Sequence, residues 1–235
     1  DNFGAASKVR MVNGLKSNFF PTLPAVGLVV SGGHTSLFYL KGFARFKLLG
    51  QTLDDAAGET FDKVARILGL DYPGGPAIDR LAASVQKTTI RFTCAPLPDT
   101  LNFSFSGIKT AVLYFKRDYK DQKSFPTAEV AYAFQESVVD VLVKKCLLAC
   151  EKLKTKTLLI GGGVAANSRL RRRLSSEAEE KGVKVYFPSL ELCMDNAAMI
   201  AGLGFHLLKK SRRFLNICRS RDSDDLNLFK ETSEN

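Results

Sequence analysis

The sequence predicts an α/β fold, and three observations carry that reading. Short apolar runs alternate with amphipathic helical patterns along the chain. Two of those runs, Gly27-Leu28-Val29-Val30-Ser31-Gly32-Gly33 and Leu158-Leu159-Ile160-Gly161-Gly162-Gly163, end in glycine turns. The second leads into a strand-helix-strand-helix run that closes the folded part of the sequence.

Residues 1–23 are mixed, rich in Asn and Lys, and show no strong period; they read as a divergent N-terminal remnant. Strands are predicted at 26–30, 37–40 and 46–49, the first buried on both faces because Leu28, Val29 and Val30 are consecutive apolar residues. A helix follows at 59–68, with Phe61, Val64, Ala65 and Leu68 on one face and Gly69 closing it. Asp71-Tyr72-Pro73-Gly74-Gly75-Pro76 is a tight turn, and Pro76 suits the first position of a helix carrying Ile78, Leu81 and Ala82. Residues 85–100 are irregular. A helix at 108–116 and a loop at 118–123 precede the longest helix, 127–152, with an apolar stripe of Val130, Phe134, Val138, Val141, Leu142 and Cys146. Then come a strand at 158–160, a helix at 166–180 crowded with Arg169, Arg171, Arg172 and Arg173, a strand at 183–187 and a helix at 195–208. Asp195 and Asn196 fall at the N-cap of that last helix, where an acceptor is favoured. The domain is therefore drawn over 24–210, and 211–235 is a tail, first basic and then acidic and polar.

Composition narrows the function. The chain has 235 residues, 45% of them apolar, which suits a globular domain with a real core, and no apolar run approaches the roughly 20 residues of a membrane span. The formal charge of +10, from 34 basic and 24 acidic residues, favours a polyanionic partner, nucleic acid before membrane. Cys94, Cys146, Cys150, Cys193 and Cys218 are odd in number and lack C-x-x-C spacing, which fits a reducing cytoplasm. Asp1 in place of Met, with no signal pattern after it, predicts a fragment or processed product.

The candidate chemistry lies at the turns. Gly32 and Gly33 permit positive φ and close backbone approach, so several N–H groups could face one anionic group; the plain alternative is a Gly-Gly hairpin. Asp62 could accept hydrogen bonds from ribose hydroxyls, or simply face solvent. Asp195 could hold a divalent cation, or simply cap its helix. No His-Glu-x-x-His motif and no serine or cysteine beside an evident base supports a peptidase.

Six stretches occur in one order: Val30-Ser31-Gly32-Gly33-His34-Thr35, Leu53-Asp54-Asp55-Ala56-Ala57-Gly58-Glu59-Thr60-Phe61-Asp62-Lys63, Tyr72-Pro73-Gly74-Gly75-Pro76, Phe103-Ser104-Phe105-Ser106-Gly107-Ile108-Lys109-Thr110, Gly161-Gly162-Gly163-Val164-Ala165-Ala166-Asn167 and Asp195-Asn196-Ala197-Ala198-Met199-Ile200. Together they closely resemble the tRNA threonylcarbamoyladenosine transferase family (TsaD-type, formerly described as O-sialoglycoprotein endopeptidases). The resemblance implies one lobe of an actin-like ATPase (ribonuclease H-like) fold, a mixed sheet with flanking helices, the family's first lobe being largely missing. It implies transfer of a threonylcarbamoyl group from threonylcarbamoyl-adenylate to the N6 amine of adenosine 37 in tRNAs that read codons beginning with A. By motif match, Val29, Val30, Ser31, Gly32 and Gly33 would line the adenylate, with Asp62, Gly75 and Asp79 on its nucleoside side and Asn167 reaching it from the second glycine turn. Asp195 would ligate one divalent metal ion, iron or zinc. The resemblance further implies a cytoplasmic setting, with a paralogous actin-like subunit and a small ATPase as partners, and no membrane.

The sequence departs from the family at the metal. The family's two histidines, four residues apart, precede the Ser-Gly-Gly turn, whereas this chain reads Ala5-Ala6-Ser7-Lys8-Val9-Arg10-Met11-Val12-Asn13-Gly14 there and holds only His34 and His206. The metal site is thus incomplete. Two further readings follow: an actin-like kinase or ATPase, and an inactive nucleotide-binding scaffold. The arginines at 169–173 and the basic stretch 209–221 are candidate tRNA phosphate contacts, with a solvated helix face as the plain alternative.

Overall fold

A computed structural model describes residues 21–42 and 45–210, the side chains of 209 and 210 excepted. The 1–23 stretch up to residue 20, the tail 211–235 and nearly all of the basic stretch 209–221 lie outside the described residues.

Strands β1 (Ala25–Val30), β2 (Thr35–Gly42) and β3 (Arg45–Gln51) form an antiparallel meander. Helices α1 (Ala57–Leu68), α2 (Gly74–Ala82), α3 (Ser106–Asp118) and α4 (Thr127–Leu153) follow. The chain then returns to the sheet through β4 (Thr157–Gly161), α5 (Ser168–Glu180) and β5 (Lys184–Tyr186), and ends in α6 (Ala197–Lys210). The strand order is β3-β2-β1-β4-β5. β1 is central, antiparallel to β2 and parallel to β4, and β4 is parallel to β5, so the sheet is mixed. The α/β expectation and its element order hold, with ends shifted by a few residues.

The core lies between the sheet and α4. That helix buries Val130, Ala131, Phe134, Val138, Val139, Leu142, Val143, Cys146, Ala149 and Cys150, more than one stripe, while Val141 is only partly covered. The breadth has a simple cause: α4 packs against β1, β4, α1, α2, α3 and α5, so it is enclosed rather than laid on a surface. Phe61 of α1 meets Phe134 of α4 edge to face, ring centres 5.0 Å apart.

Five of the six helix starts differ from expectation by about two residues, and three of the shifts have a visible cause. α2 begins at Gly74, not Pro76, because the Asp62 carboxylate accepts the Gly74 N–H (2.8 Å), and a proline within the first turn lacks only a donor that needs no helical partner. The stretch after β4 is a short 3₁₀ turn, Gly163–Ala166, and α5 starts behind Asn167, whose Oδ1 accepts the Leu170 N–H at 2.9 Å. Asn196, rather than Asp195, caps α6, its Oδ1 accepting the Met199 N–H at 3.0 Å.

Candidate functional site

The carboxyl ends of β1 and β4 lie side by side, Val29 opposite Gly161, and both open into the glycine turns. In an open α/β sheet that is the edge at which ligands bind. The first turn is a hairpin into β2, as the plain alternative had it. Ser31 N–H donates to His34 O (2.8 Å), and Ser31 Oγ accepts the N–H groups of His34 (3.1 Å) and Gly33 (3.4 Å). Three of the turn's donors are therefore satisfied locally. Gly32 and Gly33 do not have the positive φ that two adjacent glycines suggested. What they share is openness: a Cβ on either would meet nothing within 4 Å.

The glycines of the site fall into two kinds. Gly58, Gly74 and Gly162 are held by packing. A Cβ on Gly58 would come within 2.7 Å of the Ser31 and Gly32 backbone, one on Gly74 within 2.6 Å of Ala65 Cβ, and one on Gly162, at φ +98°, within 2.3 Å of Val30 O. These contacts dock the N-termini of α1 and α2 and the two turns against one another. Gly58 N–H reaches Ser31 O (3.1 Å) and Ala57 N–H reaches the buried Thr35 Oγ1 (2.9 Å). Gly32, Gly33, Gly75 and Gly161 are the other kind, with nothing within 4 Å of an added Cβ. Neither packing nor positive φ requires glycine at these four, which leaves bare backbone facing space.

The remaining sequence-predicted residues gather around this edge. Val29 is 41% exposed, not buried as its apolar run suggested, because the run occupies both faces of β1 and only one is covered at that end. Val30 is fully buried, with its carbonyl against Gly162. One Asp62 oxygen accepts the Gly74 N–H, and the other has no donor among the described residues. Asp79 on α2 is held by Ser168, which donates its N–H and its Oγ–H to the two carboxylate oxygens at 2.9 Å each. Asn167, besides capping α5, donates its Nδ2–H to Gln135 Oε1 at 2.8 Å. Asp79 and Asn167 thus join α2, α4 and α5 at the site's floor.

Asp195 is exposed and lies one residue beyond Met194, whose Sδ sits 3.2 Å from a Cβ placed on Gly163. Its segment is tied back by Arg171, which donates to Ala165 O (2.6 Å), Pro188 O (2.7 Å) and Cys193 Sγ (3.2 Å) and covers the Phe187 ring. Among the described residues no three His, Cys, Asp or Glu side chains lie together as metal ligands. One solvent-facing carboxylate does not fit a bound iron or zinc ion.

Three of the four arginines of α5 have protein partners. Arg169 forks onto Glu136 (2.5 and 2.8 Å), Arg173 joins Glu177 (2.7 Å) and Asp140 (3.2 Å), and Arg171 serves the segment just described; Arg172 alone of the four is exposed. Sequence reasoning missed a second lock. Asp54 accepts Ser104 Oγ–H (2.6 Å), Phe105 N–H (2.7 Å) and both the N–H and Oγ–H of Ser106 (3.2 and 2.8 Å). Burial pushes the Asp54 carboxyl up, but these four hydrogen bonds outweigh it and hold its pKa below the ordinary value. Asp55 pairs with Lys63 (2.8 Å) and Lys109 (3.2 Å); the Lys63 hydrogen bond, assisted by Lys109, outweighs burial and lowers its pKa. The signal was present: adjacent carboxylates before a helix, and a Ser-Phe-Ser stretch at the start of another.

Comparison with known proteins gives the family from sequence and the fold from shape. The family described as "TsaD: tRNA N6-adenosine threonylcarbamoyltransferase" matches residues 7–202. A protein of that name from Dictyoglomus turgidum is 51% identical over 191 residues, covering 81% of this chain and 57% of the relative. Those from Anaeromyxobacter dehalogenans (strain 2CP-1) and Thermosipho africanus are 49% and 48% identical, covering 82% and 80% of this chain and 58% and 57% of their own lengths. The chain therefore spans a little over half the length of these relatives. Among solved structures, full-length HypF in its phosphate- and nucleotide-bound form aligns with a TM-score of 0.60 at 15% identity, covering 80% of this chain and 34% of that one. HypF from T. kodakarensis aligns at 0.57 and 13%, covering 77% and 34%. At such identities the likeness concerns the fold alone, an actin-like ATPase lobe. This chain belongs to the tRNA N6-adenosine threonylcarbamoyltransferase family.

Proposed function

We propose that this chain forms part of an enzyme that transfers threonylcarbamoyl from threonylcarbamoyl-adenylate to the N6 amine of adenosine 37 in tRNA. The observation that carries the reading is the set of open glycines, Gly32, Gly33 and Gly161, at the carboxyl ends of two parallel strands, in a member of this family. In the reaction the adenosine amine attacks the carbamoyl carbon. A C–N bond forms, the bond from that carbon to the phosphate oxygen breaks, AMP leaves and the amine gives up a proton. The glycine turns would let the phosphate end approach without a Cβ in the way. The Asp62 oxygen that has no donor among the described residues would accept a ribose hydroxyl, and the exposed Val29 side chain would lie against the ligand.

The charge of +10 supports an RNA substrate. A paralogous actin-like subunit, a small ATPase and a cytoplasmic setting complete the proposal by family resemblance. No helix among the described residues is long and apolar enough to cross a membrane. A second reading, a nucleotide-binding scaffold without turnover, is favoured by one observation, the solitary Asp195 carboxylate. Mass spectrometry of tRNA nucleosides separates the two. Unmodified tRNA is incubated with this chain, threonylcarbamoyl-adenylate, divalent metal and the helper subunits. Threonylcarbamoyladenosine above the no-enzyme level supports the transferase; AMP binding without product supports the scaffold.

A further inference from the structure

We propose that Tyr72 is a stacking platform for the purine base of the nucleotide, an assignment that rests on the nucleotide reading above. Tyr72 is 85% exposed, the most exposed large side chain with an apolar body among the described residues, and neither ring nor cation covers it there. Such a ring on a loose loop would mean little, but this one is displayed by a fixed turn. On one side, Gly69 and Leu70 N–H groups close α1 onto Arg66 O and Ala65 O (3.1 and 2.9 Å). On the other, Gly74 N–H is held by Asp62, and its Cα is pressed against the Ala65 side chain and the Asp62 and Phe61 backbone. Little motion has to be frozen when a flat ligand lands on the ring.

The ring borders a cavity of about 310 Å³ floored by α1. Its volume is at the small end of ligand sites, in the range of a nucleoside. Three carboxylates, Glu59, Asp62 and Asp71, line it against Lys63 and Arg66, and Lys63 is already paired with Asp55 and Glu59. A phosphate is therefore disfavoured here, whereas an uncharged base and ribose are not. The geometry also sets the direction. The α1 face begins at Glu59, next to the Gly58–Ser31 contact with the first glycine turn, and reaches Asp62 one turn later. A nucleotide with its phosphate at the glycine turn and its ribose at Asp62 carries its base toward Tyr72. Base–aromatic stacking is worth roughly a tenfold change in affinity.

The test uses the full 235-residue chain, which has no tryptophan, so Tyr72→Trp supplies a single tryptophan at the platform, excited selectively over the remaining tyrosines. AMP is expected to quench it saturably, and ribose 5-phosphate at the same concentration is not. By equilibrium dialysis, Tyr72→Ala is expected to bind AMP about tenfold more weakly than the wild type, and Tyr72→Phe to bind within about twofold. Equal quenching by ribose 5-phosphate, or wild-type AMP affinity in Tyr72→Ala, overturns the platform while leaving the nucleotide reading intact. Quenching by unmodified tRNA but not by AMP overturns it in favour of a base on the RNA. Failure of the wild-type chain to bind AMP overturns the nucleotide reading and the platform together.

Discussion

Gly161 and Gly162 are neighbours in sequence and opposites in environment, and replacing each by alanine tests the whole account of the site. At Gly162 the backbone sits at φ +98°, and an added Cβ would lie 2.3 Å from Val30 O and 2.8 Å from Val30 C. An L-residue in that region costs about 1–2 kcal/mol. Moving packed backbone to relieve the overlap costs about 1–3 kcal/mol more. Gly162→Ala should therefore lose about 3 kcal/mol, which in a chain of this size lowers Tm by roughly 6–12 °C. At Gly161 nothing lies within 4 Å and φ is not positive, so Gly161→Ala should stay within about 0.5 kcal/mol of the wild type. Its methyl instead enters the space assigned to the ligand, where crowding of about 1–3 kcal/mol weakens AMP binding tenfold or more. Urea unfolding followed by circular dichroism gives the first quantity and equilibrium dialysis the second. If Gly161→Ala proves as unstable as Gly162→Ala, the openness of that turn is wrong. If it is stable and binds AMP as the wild type does, the turn is not the ligand face.

Asp54→Asn should destabilise the fold by about 1 kcal/mol, since charge-assisted acceptors are lost in a partly solvated place. Because the folded-state pKa of Asp54 is depressed, its contribution is complete above the ordinary value of 3.8 and lost as pH falls through the lower folded value. The stability gap between wild type and Asp54→Asn in urea titrations should accordingly close below about pH 4, and a gap that widens there refutes the lock. Arg169→Ala should leave the slope of log K for tRNA against log salt unchanged, because its guanidinium is occupied by Glu136. A slope flattened by about 0.9 would instead count it as a phosphate contact. Elemental analysis after dialysis should find far less than one iron or zinc per chain, consistent with a single carboxylate; stoichiometric metal would show that a ligand set forms.

The element order was legible because local signals agreed: apolar runs for strands, 3.6-residue spacing for helices, and glycine and proline at the breaks. The interior of α4 was less so. Its stripe of six residues predicted one buried face, but burial on several sides depends on six partner elements that no local window contains. The helix starts at Gly74 and Ala197 were misplaced because a long-range bond from Asp62 fixed one and the choice between adjacent Asp195 and Asn196 fixed the other. Positive φ was expected at Gly32 and Gly33 and is not found; what sets them apart is the open space around them. A glycine pair in sequence does not distinguish a conformational need from an exposed backbone, and only the empty space around a built Cβ does. The α5 arginines read as a surface patch because the partners of Arg169 and Arg173, Glu136 and Asp140, lie on α4, some thirty residues away in sequence.

The way the site's polar residues are used bears on how it would bind. Asp79 gives both oxygens to Ser168, Asn167 is shared between Gln135 and Leu170, and Ser31 Oγ serves its own turn. Residues that a motif comparison would place on the ligand are engaged in holding α2, α4 and α5 at the mouth of the sheet. What remains for a ligand is backbone, one Asp62 oxygen, the exposed Val29 and the Tyr72 ring. Such a site cannot gain affinity from many new hydrogen bonds. It must gain it from being already formed, with its donors fixed before the ligand arrives. The packed glycines supply that rigidity, since each lets a helix N-terminus or turn sit closer than any side chain would allow. On this argument the tight glycines and the open ones are one device. The first bring the chain's backbone to the sheet edge, and the second leave it uncovered there.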